Sequence, residues 1–171
     1  MGPIGRFLTA DHERLDGLLA RSLTGAEVDL ATFGELREGL LRHIGMEETI
    51  LLPALHGLPG APLELANKLR TDHAALANLF MPRPTPEIVR AVRFILKGHN
   101  PLEEKAGGFY DACDRLLADR AEDLTDRMRK APRVPLRDYS ERPQALAAAK
   151  RAMSRAGYSW DDCIRPEGQQ S

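Results

Sequence analysis

Apolar residues recur at every third or fourth position along most of the first 130 residues, which places them on one face of an α-helix. Turn-forming residues interrupt this pattern at 24–25, 57–62 and 82–86. We therefore predict four long helices, near residues 3–22, 27–56, 62–81 and 85–106, with no competing strand signal. Short connections favour antiparallel neighbours, so the expected fold is an all-α, up-down-up-down four-helix bundle.

Each predicted helix carries one histidine midway along its apolar face: His12, His43, His73 and His99. Glu47 follows His43 by four residues, and Glu103 follows His99 by the same interval. Residues four apart stack on one face of a helix, so each pair can direct an imidazole nitrogen and a carboxylate toward the same point. On the second helix, the residues predicted to face the core are Phe33, Leu36, Leu40, His43, Glu47, Ile50 and Ala54.

The two halves of this region resemble each other in sequence. The matching residues are Asp11 and His12 with Asp72 and His73, and His43, Glu47 and Glu48 with His99, Glu103 and Glu104. Each half supplies one lone histidine and one His-x-x-x-Glu pair. Two related helix pairs would build one pseudo-symmetric site that neither half completes alone.

Two glutamates in an apolar seam are costly to bury unless they are paired or coordinate a metal. Taken singly, an inward histidine is more often a hydrogen-bonded core residue, and one His-x-x-x-Glu pair is more often solvated. Together the motifs indicate a metal centre with the ligands His12, His43, Glu47, His73, His99 and Glu103. Histidine and carboxylate ligands without thiolates suit iron or manganese, and zinc is chemically possible. The alternative is a metal-free helical protein with hydrogen-bonded core histidines.

Other polar and aromatic residues near these motifs receive simpler interpretations. Glu48 and Glu104 are expected to face solvent, with support of a ligand histidine as the alternative. His56 lies in a turn and is expected at the surface. Tyr110, like Phe109 and Trp160, is expected to be a packing residue without a role in the site.

The ordered set of motifs resembles the hemerythrin-like, or HHE cation-binding, family over roughly residues 3–130. The resemblance implies an antiparallel four-helix bundle that holds two non-haem iron ions, bridged by carboxylates and an oxo group, through the six residues named above. Members of this family bind dioxygen, handle nitric oxide or peroxide, or sense iron and oxygen. Oxygen-carrying members have a further histidine where this chain has Ala77. The resemblance therefore implies reactivity or sensing more than reversible oxygen carriage.

The fourth helix contains residues that favour more than one interpretation. Pro101 lies inside the second His-x-x-x-Glu motif and removes a backbone donor, which predicts a kink. In a second interpretation, one helix ends near Gly98 and another begins with Asn100 as its N-cap, so that the histidine of the motif leaves the register. Gly107 and Gly108 either end the helix or thin the wall of the bundle and open a small channel.

Composition limits the classes of partner. The 24 basic and 25 acidic residues nearly cancel without a long run of like charge, which excludes an electrostatic footprint for nucleic acid or an anionic membrane. No apolar stretch approaches the roughly 20 residues of a membrane span, and no secretion signal is recognisable, so we expect a cytoplasmic protein. Cys113 and Cys163 lack the spacing of a disulfide framework or a thiolate zinc site and are expected to be ordinary thiols.

The predicted bundle covers residues 1–130. Residues 131–171 form a C-terminal extension with several prolines and a helix-prone stretch, which we expect to cap the bundle, mediate a homodimer or dock on a protein partner. The leading hypothesis is a di-iron protein that binds, senses or reacts with dioxygen, nitric oxide or peroxide. The alternative is a metal-stabilised regulatory or interaction module, an iron or oxygen sensor, that acts through the extension. No residue beyond the ligands is predicted to be catalytic.

Overall fold

The computed structural model describes residues 1–165 and is mostly helical, so the all-α class is confirmed. The helices are α1 (Pro3–Arg21), α2 (Leu30–Met46), α3 (Leu52–Leu55), α4 (Leu63–Leu79), α5 (Pro86–Glu104), α6 (Phe109–Leu116), α7 (Ala121–Arg129), α8 (Pro143–Arg155) and α9 (Trp160–Cys163). Each of the four predicted long helices is present, as α1, α2 with its continuation into α3, α4 and α5. Within residues 1–165, no helix combines the length and the apolar character needed to span a membrane.

A short β-hairpin joins α1 to α2, and the prediction that no strand would form is wrong in this detail. The hairpin pairs β1 (Leu23–Thr24) with β2 (Glu27–Val28), and Gly25 between them adopts a φ of +61° that side chains rarely tolerate. Helix α2 begins three residues later than predicted. The Asp29 carboxylate accepts from two backbone N–H groups of the first turn and so caps the helix.

A π-helical turn at Glu47–Leu51 joins α2 to α3 and changes which residues face the core. The N–H of Leu52 donates to the carbonyl of Glu47, five residues earlier, so this turn holds one residue more than an α-helical turn. The two residues predicted to continue the core-facing seam, Ile50 and Ala54, are consequently only half-buried. Leu51 and Leu55 are buried in their place.

Pro101 does not break α5, which continues to Glu104. The interpretation in which a new helix begins at Asn100 is therefore wrong. Proline at this position deprives the carbonyl of Lys97 of its usual partner, but both Pro101 and Lys97 are exposed, so water can satisfy that carbonyl. The two residues of the His-x-x-x-Glu motif consequently stay on the same, buried face of the helix.

The paired glycines end α5 and reverse the chain, as the simpler of the two interpretations predicted. Gly107 has a φ of +74°, and a Cβ atom on Gly108 would lie 2.8 to 2.9 Å from three backbone carbonyl oxygens. The reversal allows α6 to begin at Phe109 and to pack against both α1 and α5. Tyr110 is thereby carried into the interior, where it is fully buried.

Two clusters of buried apolar side chains lie on either side of the predicted ligands along the helices. One includes Leu15, Phe33, Leu76, Val92 and Ile95. The other includes Leu8, Met46, Leu51, Leu69 and Phe109. On α1, α2 and α4, the ligand histidine falls between a residue of one cluster and a residue of the other. The polar residues are thus held in a layer between two apolar layers.

The described part of the C-terminal extension, residues 131–165, packs on the helices that precede it. Helix α8 lies against α4, and its residues Ala149 and Met153 are buried in the first apolar cluster. Backbone hydrogen bonds also tie Ser140 to Met81 and Arg83 in the loop between α4 and α5. The apolar face predicted for this stretch therefore covers the outer side of α4.

We expect deletion of Thr49 to be tolerated. Thr49 is exposed, and its removal would convert the π turn to an α turn while Leu51 and Leu55 kept their orientation toward the core. The free energy of unfolding should fall by less than about 1 kcal/mol, as measured by urea denaturation.

The matched control is deletion of Glu35, which is also exposed but lies in the regular part of α2. That deletion rotates half of the helix by about 100° and should cost several kcal/mol of apolar burial, roughly enough to unfold the chain. Equal losses in the two variants would contradict the role given to the π turn.

Candidate metal centre

The structure brings all six predicted ligand side chains together in the buried layer. Glu47 lies between two histidines, with Oε1 3.6 Å from His43 Nε2 and Oε2 3.2 Å from His73 Nε2. Glu103 likewise lies between His12, at 3.5 Å from Nε2, and His99, at 3.3 Å from Nε2. Each carboxylate thus spans the two halves of the sequence repeat.

The ligand atoms form two overlapping groups whose members lie within 4.8 Å of one another. One group consists of Glu47, His73, His99 and Glu103, and the other of His12, His43 and Glu103. All of these side chains are buried. Glu103 belongs to both groups, so one carboxylate could contact cations on both sides.

Several buried polar atoms at the centre make no hydrogen bond within residues 1–165: Glu47 Oε2, His73 Nε2 and Glu103 Oε1. Buried nitrogen and oxygen atoms without partners are unusual, because each loses its interaction with water. Here Glu47 Oε2 lies 3.2 Å from His73 Nε2, and Glu103 Oε1 lies 3.3 Å from His99 Nε2, so these atoms are close enough to surround one cation. The residues present therefore fit a metal with nitrogen and oxygen ligands.

A carboxylate holds the outward nitrogen of each histidine. Asp11 Oδ2 lies 3.0 Å from His43 Nδ1, and Asp72 Oδ2 lies 3.3 Å from His99 Nδ1. An ionised carboxylate only accepts, so Nδ1 carries a proton and Nε2 is the nitrogen that faces the centre, where a cation could replace any proton that it holds. Such contacts fix the ring orientation of histidine ligands in metal sites.

The same contact occurs at the two remaining histidines and corrects an expectation from the sequence. His73 Nδ1 lies 2.8 Å from Glu48 Oε1, and His12 Nδ1 is hydrogen-bonded to Glu104. These glutamates were expected to face solvent, but each side chain is only 30 % exposed because it turns back onto an imidazole. The alternative interpretation, support of a ligand histidine, is the one that the structure favours.

Tyr110 packs in the interior as expected, but its hydroxyl group also reaches the centre, which the sequence did not predict. Its O–H donates to Glu47 Oε1 at 2.8 Å and lies 3.2 Å from Glu103 Oε2. The oxygen is also 3.3 Å from His12 Nε2 and 3.4 Å from His43 Nε2. The phenol therefore faces the side of the centre formed by α1 and α2.

The charges of the histidines depend on burial and on the carboxylates. Burial disfavours the imidazolium, but the Glu47 charge and accompanying hydrogen bonds outweigh it and raise the pKa of His43 to about 10. Burial is likewise outweighed at His73 by hydrogen bonds to Glu47 and Glu48, and at His99 by the charge of Glu103 and a hydrogen bond to Asp72, so the pKa of each rises to about 9. Burial and the positive charge of His43 instead lower the pKa of His12 to about 3.

The two buried carboxylates shift in opposite directions. Burial raises the pKa of both, but the positive charge of His43 brings that of Glu47 well below its usual range. The pKa of Glu103 is raised, first by burial and then by the negative charge of Glu47. Burial and these carboxylates also raise the pKa of Tyr110, so the phenol keeps its proton. The centre therefore holds several protons that cations could replace.

The remaining candidates lie apart from the centre. His56 is exposed, as expected. Cys113 and Cys163 are free, buried thiols and belong to neither group of ligand atoms. Burial raises the pKa of Cys113, so it stays protonated. The donor set thus consists of nitrogen and oxygen, as the sequence predicted.

Five residues contact the centre without having been assigned to it from the sequence, and the sequence carried a signal for four of them. Asp11 and Asp72 occupy matching positions in the repeat, as do Glu48 and Glu104, so the repeat itself contained the signal for all four. Tyr110 lies beyond the repeated motifs, and only the chain reversal before α6 brings it to the centre. No spacing rule connects it to the ligands.

Comparison with curated proteins and with solved structures gives no significant match. Comparison with protein families does give one: the model of the hemerythrin HHE cation binding domain matches residues 4–134. This range contains all six predicted ligands, their four supporting carboxylates and Tyr110. The chain therefore belongs to the hemerythrin HHE cation-binding domain family.

Proposed function

We propose that this protein binds two non-haem iron ions and uses them to bind, sense or react with a small oxidant, namely dioxygen, nitric oxide or peroxide. The observation that supports the proposal is the pair of fully buried glutamates, each placed between two histidines from different halves of the repeat. We also infer that the four long helices form an antiparallel up-down-up-down bundle, since each contributes a histidine at mid-length to one centre.

The proposed ligands divide into two histidine pairs joined by two carboxylates. His12 and His43 would hold one ion, His73 and His99 would hold the other, and the two glutamates would be shared. Manganese or zinc could use the same donors, but histidine and carboxylate together suit iron well. The supporting carboxylates add negative charge close to the cations and keep each Nε2 lone pair directed inward.

Bound iron supplies redox chemistry and coordination positions for a small oxidant. The chain's own contribution is a buried layer that includes the Tyr110 hydroxyl as a hydrogen-bond donor. The raised pKa of Tyr110 keeps that proton in place at neutral pH, so the hydroxyl can donate a hydrogen bond to an oxygen atom near Glu47. Ala77 offers no ligand atom, which favours reaction or sensing over reversible oxygen carriage.

A second candidate function is a metal-stabilised regulatory module, an iron or oxygen sensor that acts through the C-terminal extension. The observation that favours it is the packing of α8 on α4, the helix that carries His73. A change at the centre could therefore reach a surface that a partner protein would contact. Loss of partner binding on deletion of the extension, with the absorption spectrum of the centre intact, would favour this function over the first.

The proposal predicts about two iron ions per chain in protein purified from iron-supplemented cells. The oxidised protein should show near-ultraviolet charge-transfer bands that dithionite removes. His43→Ala and Glu103→Ala should each lose most of the iron and the bands, because each removes a ligand at the centre. Metal analysis and absorption spectra provide the measurement.

His56→Ala is the matched control, because it removes an exposed histidine outside the centre. It should keep the iron content and spectrum of the unmodified protein. Purified protein that holds no iron, or a centre that survives both ligand substitutions, would contradict the proposal.

The supporting carboxylates give a second prediction. Asp11→Asn and Asp72→Asn should each weaken iron binding by about 10- to 100-fold, because the amide is a poorer acceptor for the Nδ1–H of the histidine ligand. Competition with a chelator would measure the affinity. Asp126→Asn, at a site that is 57 % exposed, should leave it unchanged. Equal affinity in all three variants would contradict the supporting role.

Tyr110→Phe should keep the iron content, because it removes none of the six ligands, but should slow the reaction with peroxide or nitric oxide about tenfold or more. Stopped-flow absorption of the iron-loaded protein would give the rate. Tyr139→Phe, a matched change in the extension, should react at the unmodified rate. An unchanged rate in Tyr110→Phe would mean that its proton takes no part.

A further inference from the structure

The two halves of the centre differ in the ion pair made by the aspartate that is hydrogen-bonded to a histidine Nδ1. Asp11 is paired with Arg14, a neighbour on the same helix, at 2.8 and 2.9 Å. Asp72 is paired through Oδ1 with Lys68, also on its own helix, but the Lys68 ammonium makes two further contacts. Both of those contacts are to the C-terminal extension. Only this half of the pseudo-symmetric centre is therefore connected to the extension by such contacts in the described residues.

Two oxygen atoms of the extension accept hydrogen bonds from the Lys68 ammonium. Lys68 Nζ donates to the Tyr158 hydroxyl at 3.2 Å and to the carbonyl of Ala156 at 3.3 Å. It also lies 4.6 Å from the centroid of the Tyr158 ring, a cation–π contact. The ammonium is thus shared between a carboxylate that supports a ligand and a segment outside the bundle.

The end of α8 fixes the position of Tyr158. Gly157 has a φ of +87°, which turns the chain, and the N–H of Tyr158 donates to the carbonyl of Met153 at 2.9 Å. The Tyr158 ring also meets the edge of Phe94 at 6.3 Å on α5, the helix that carries His99. Since Met153 is fully buried, the docking of α8 sets where this hydroxyl lies.

Asp72 transmits this arrangement to the centre. Its side chain is fully buried, with Oδ1 toward Lys68 and Oδ2 toward the Nδ1–H of His99. Asp72 is fully buried, whereas the Lys68 side chain is 41 % exposed, so water screens this ion pair only in part. Charge withdrawn by the ammonium therefore makes the carboxylate a weaker acceptor for His99. The electron-donating strength of the His99 ring depends on that hydrogen bond. The contacts therefore form one path from Tyr158 to a proposed ligand.

We propose that Lys68 and Tyr158 are positioning residues that couple the docked C-terminal extension to His99, so that the extension tunes the half of the centre formed by His73 and His99. The half formed by His12 and His43 is not tuned in this way. This inference rests on the proposed iron centre for its functional meaning. The coupling itself concerns only residues of this chain and can be measured with or without iron.

The test uses the full chain with single substitutions. Lys68→Met removes the ammonium at nearly constant side-chain volume, Lys68→Arg restores a cation, and Tyr158→Phe removes only the hydroxyl. Tyr139→Phe is the matched control, because this tyrosine also lies in the extension but stacks on Arg37, at 4.5 Å from the ring centroid. Arg14→Met is the control for the other half.

Two readouts separate positioning from general stability. The first is the NMR shift of the His99 Nδ1 proton, which reports the strength of the hydrogen bond to Asp72 in metal-free and iron-loaded protein. The second is the reduction potential of the iron-loaded protein. Lys68→Met should move the His99 proton downfield and lower the potential, since the freed carboxylate accepts more strongly. Tyr158→Phe should give smaller changes in the opposite direction, because an ammonium that no longer donates to the hydroxyl interacts more strongly with Asp72. Lys68→Arg should return both values toward those of the unmodified protein.

The controls decide the outcome. Tyr139→Phe should leave both readouts unchanged, and Arg14→Met should move the His43 proton but not that of His99. A His99 proton that does not respond to Lys68→Met and Tyr158→Phe would overturn the inference. If the unmodified protein binds no iron, the proposed function fails, yet the His99 proton in the metal-free protein still decides whether the coupling exists.

Discussion

The constraint on which this structure depends is the burial of two glutamates in the middle of a helical core. Removing a carboxylate from water costs several kcal/mol unless the charge is matched. Here Glu47 and Glu103 are fully buried, and each lies between imidazoles from both halves of the repeat. The helices α1, α2, α4 and α5 must therefore meet at one level, and the apolar clusters above and below that level exclude water from it.

The supporting carboxylates link the helices in a crossed pattern. Asp11 and Asp72 each precede a proposed ligand histidine in sequence, yet each is hydrogen-bonded to the histidine of the neighbouring helix in its own half. Glu48 and Glu104 each follow a proposed ligand glutamate, yet each is hydrogen-bonded to the lone histidine of the opposite half. Each of the four histidines at the centre is therefore oriented by a residue from another helix. A shift of any one of the four helices would disturb a histidine elsewhere, which makes the centre and the bundle mutually dependent.

The repeat is symmetric in its ligands and asymmetric in what surrounds them. Tyr110 from α6 approaches the side formed by His12 and His43, and it brings a proton donor there. Lys68, which is hydrogen-bonded to the extension, pairs with Asp72 on the side formed by His73 and His99. Duplicated motifs thus provide two similar halves, and unrepeated parts of the chain make them different. Two iron ions held in this way would experience different hydrogen bonding and different local charge.

The sequence by itself determined the helical class, the four long helices and the six residues that meet at the centre, because apolar and ligand side chains recur with the helical period. It also contained the four supporting carboxylates, though only the repeat revealed them. The tertiary structure decided the rest. Because of the π turn, Leu51 faces the core in place of Ile50. Pro101 is exposed, so α5 continues past it. The turn at Gly107 places Tyr110 in the interior. Lys68 donates a hydrogen bond to Tyr158 because α8 packs on α4. These outcomes depend on contacts between distant segments, which local periodicity does not encode.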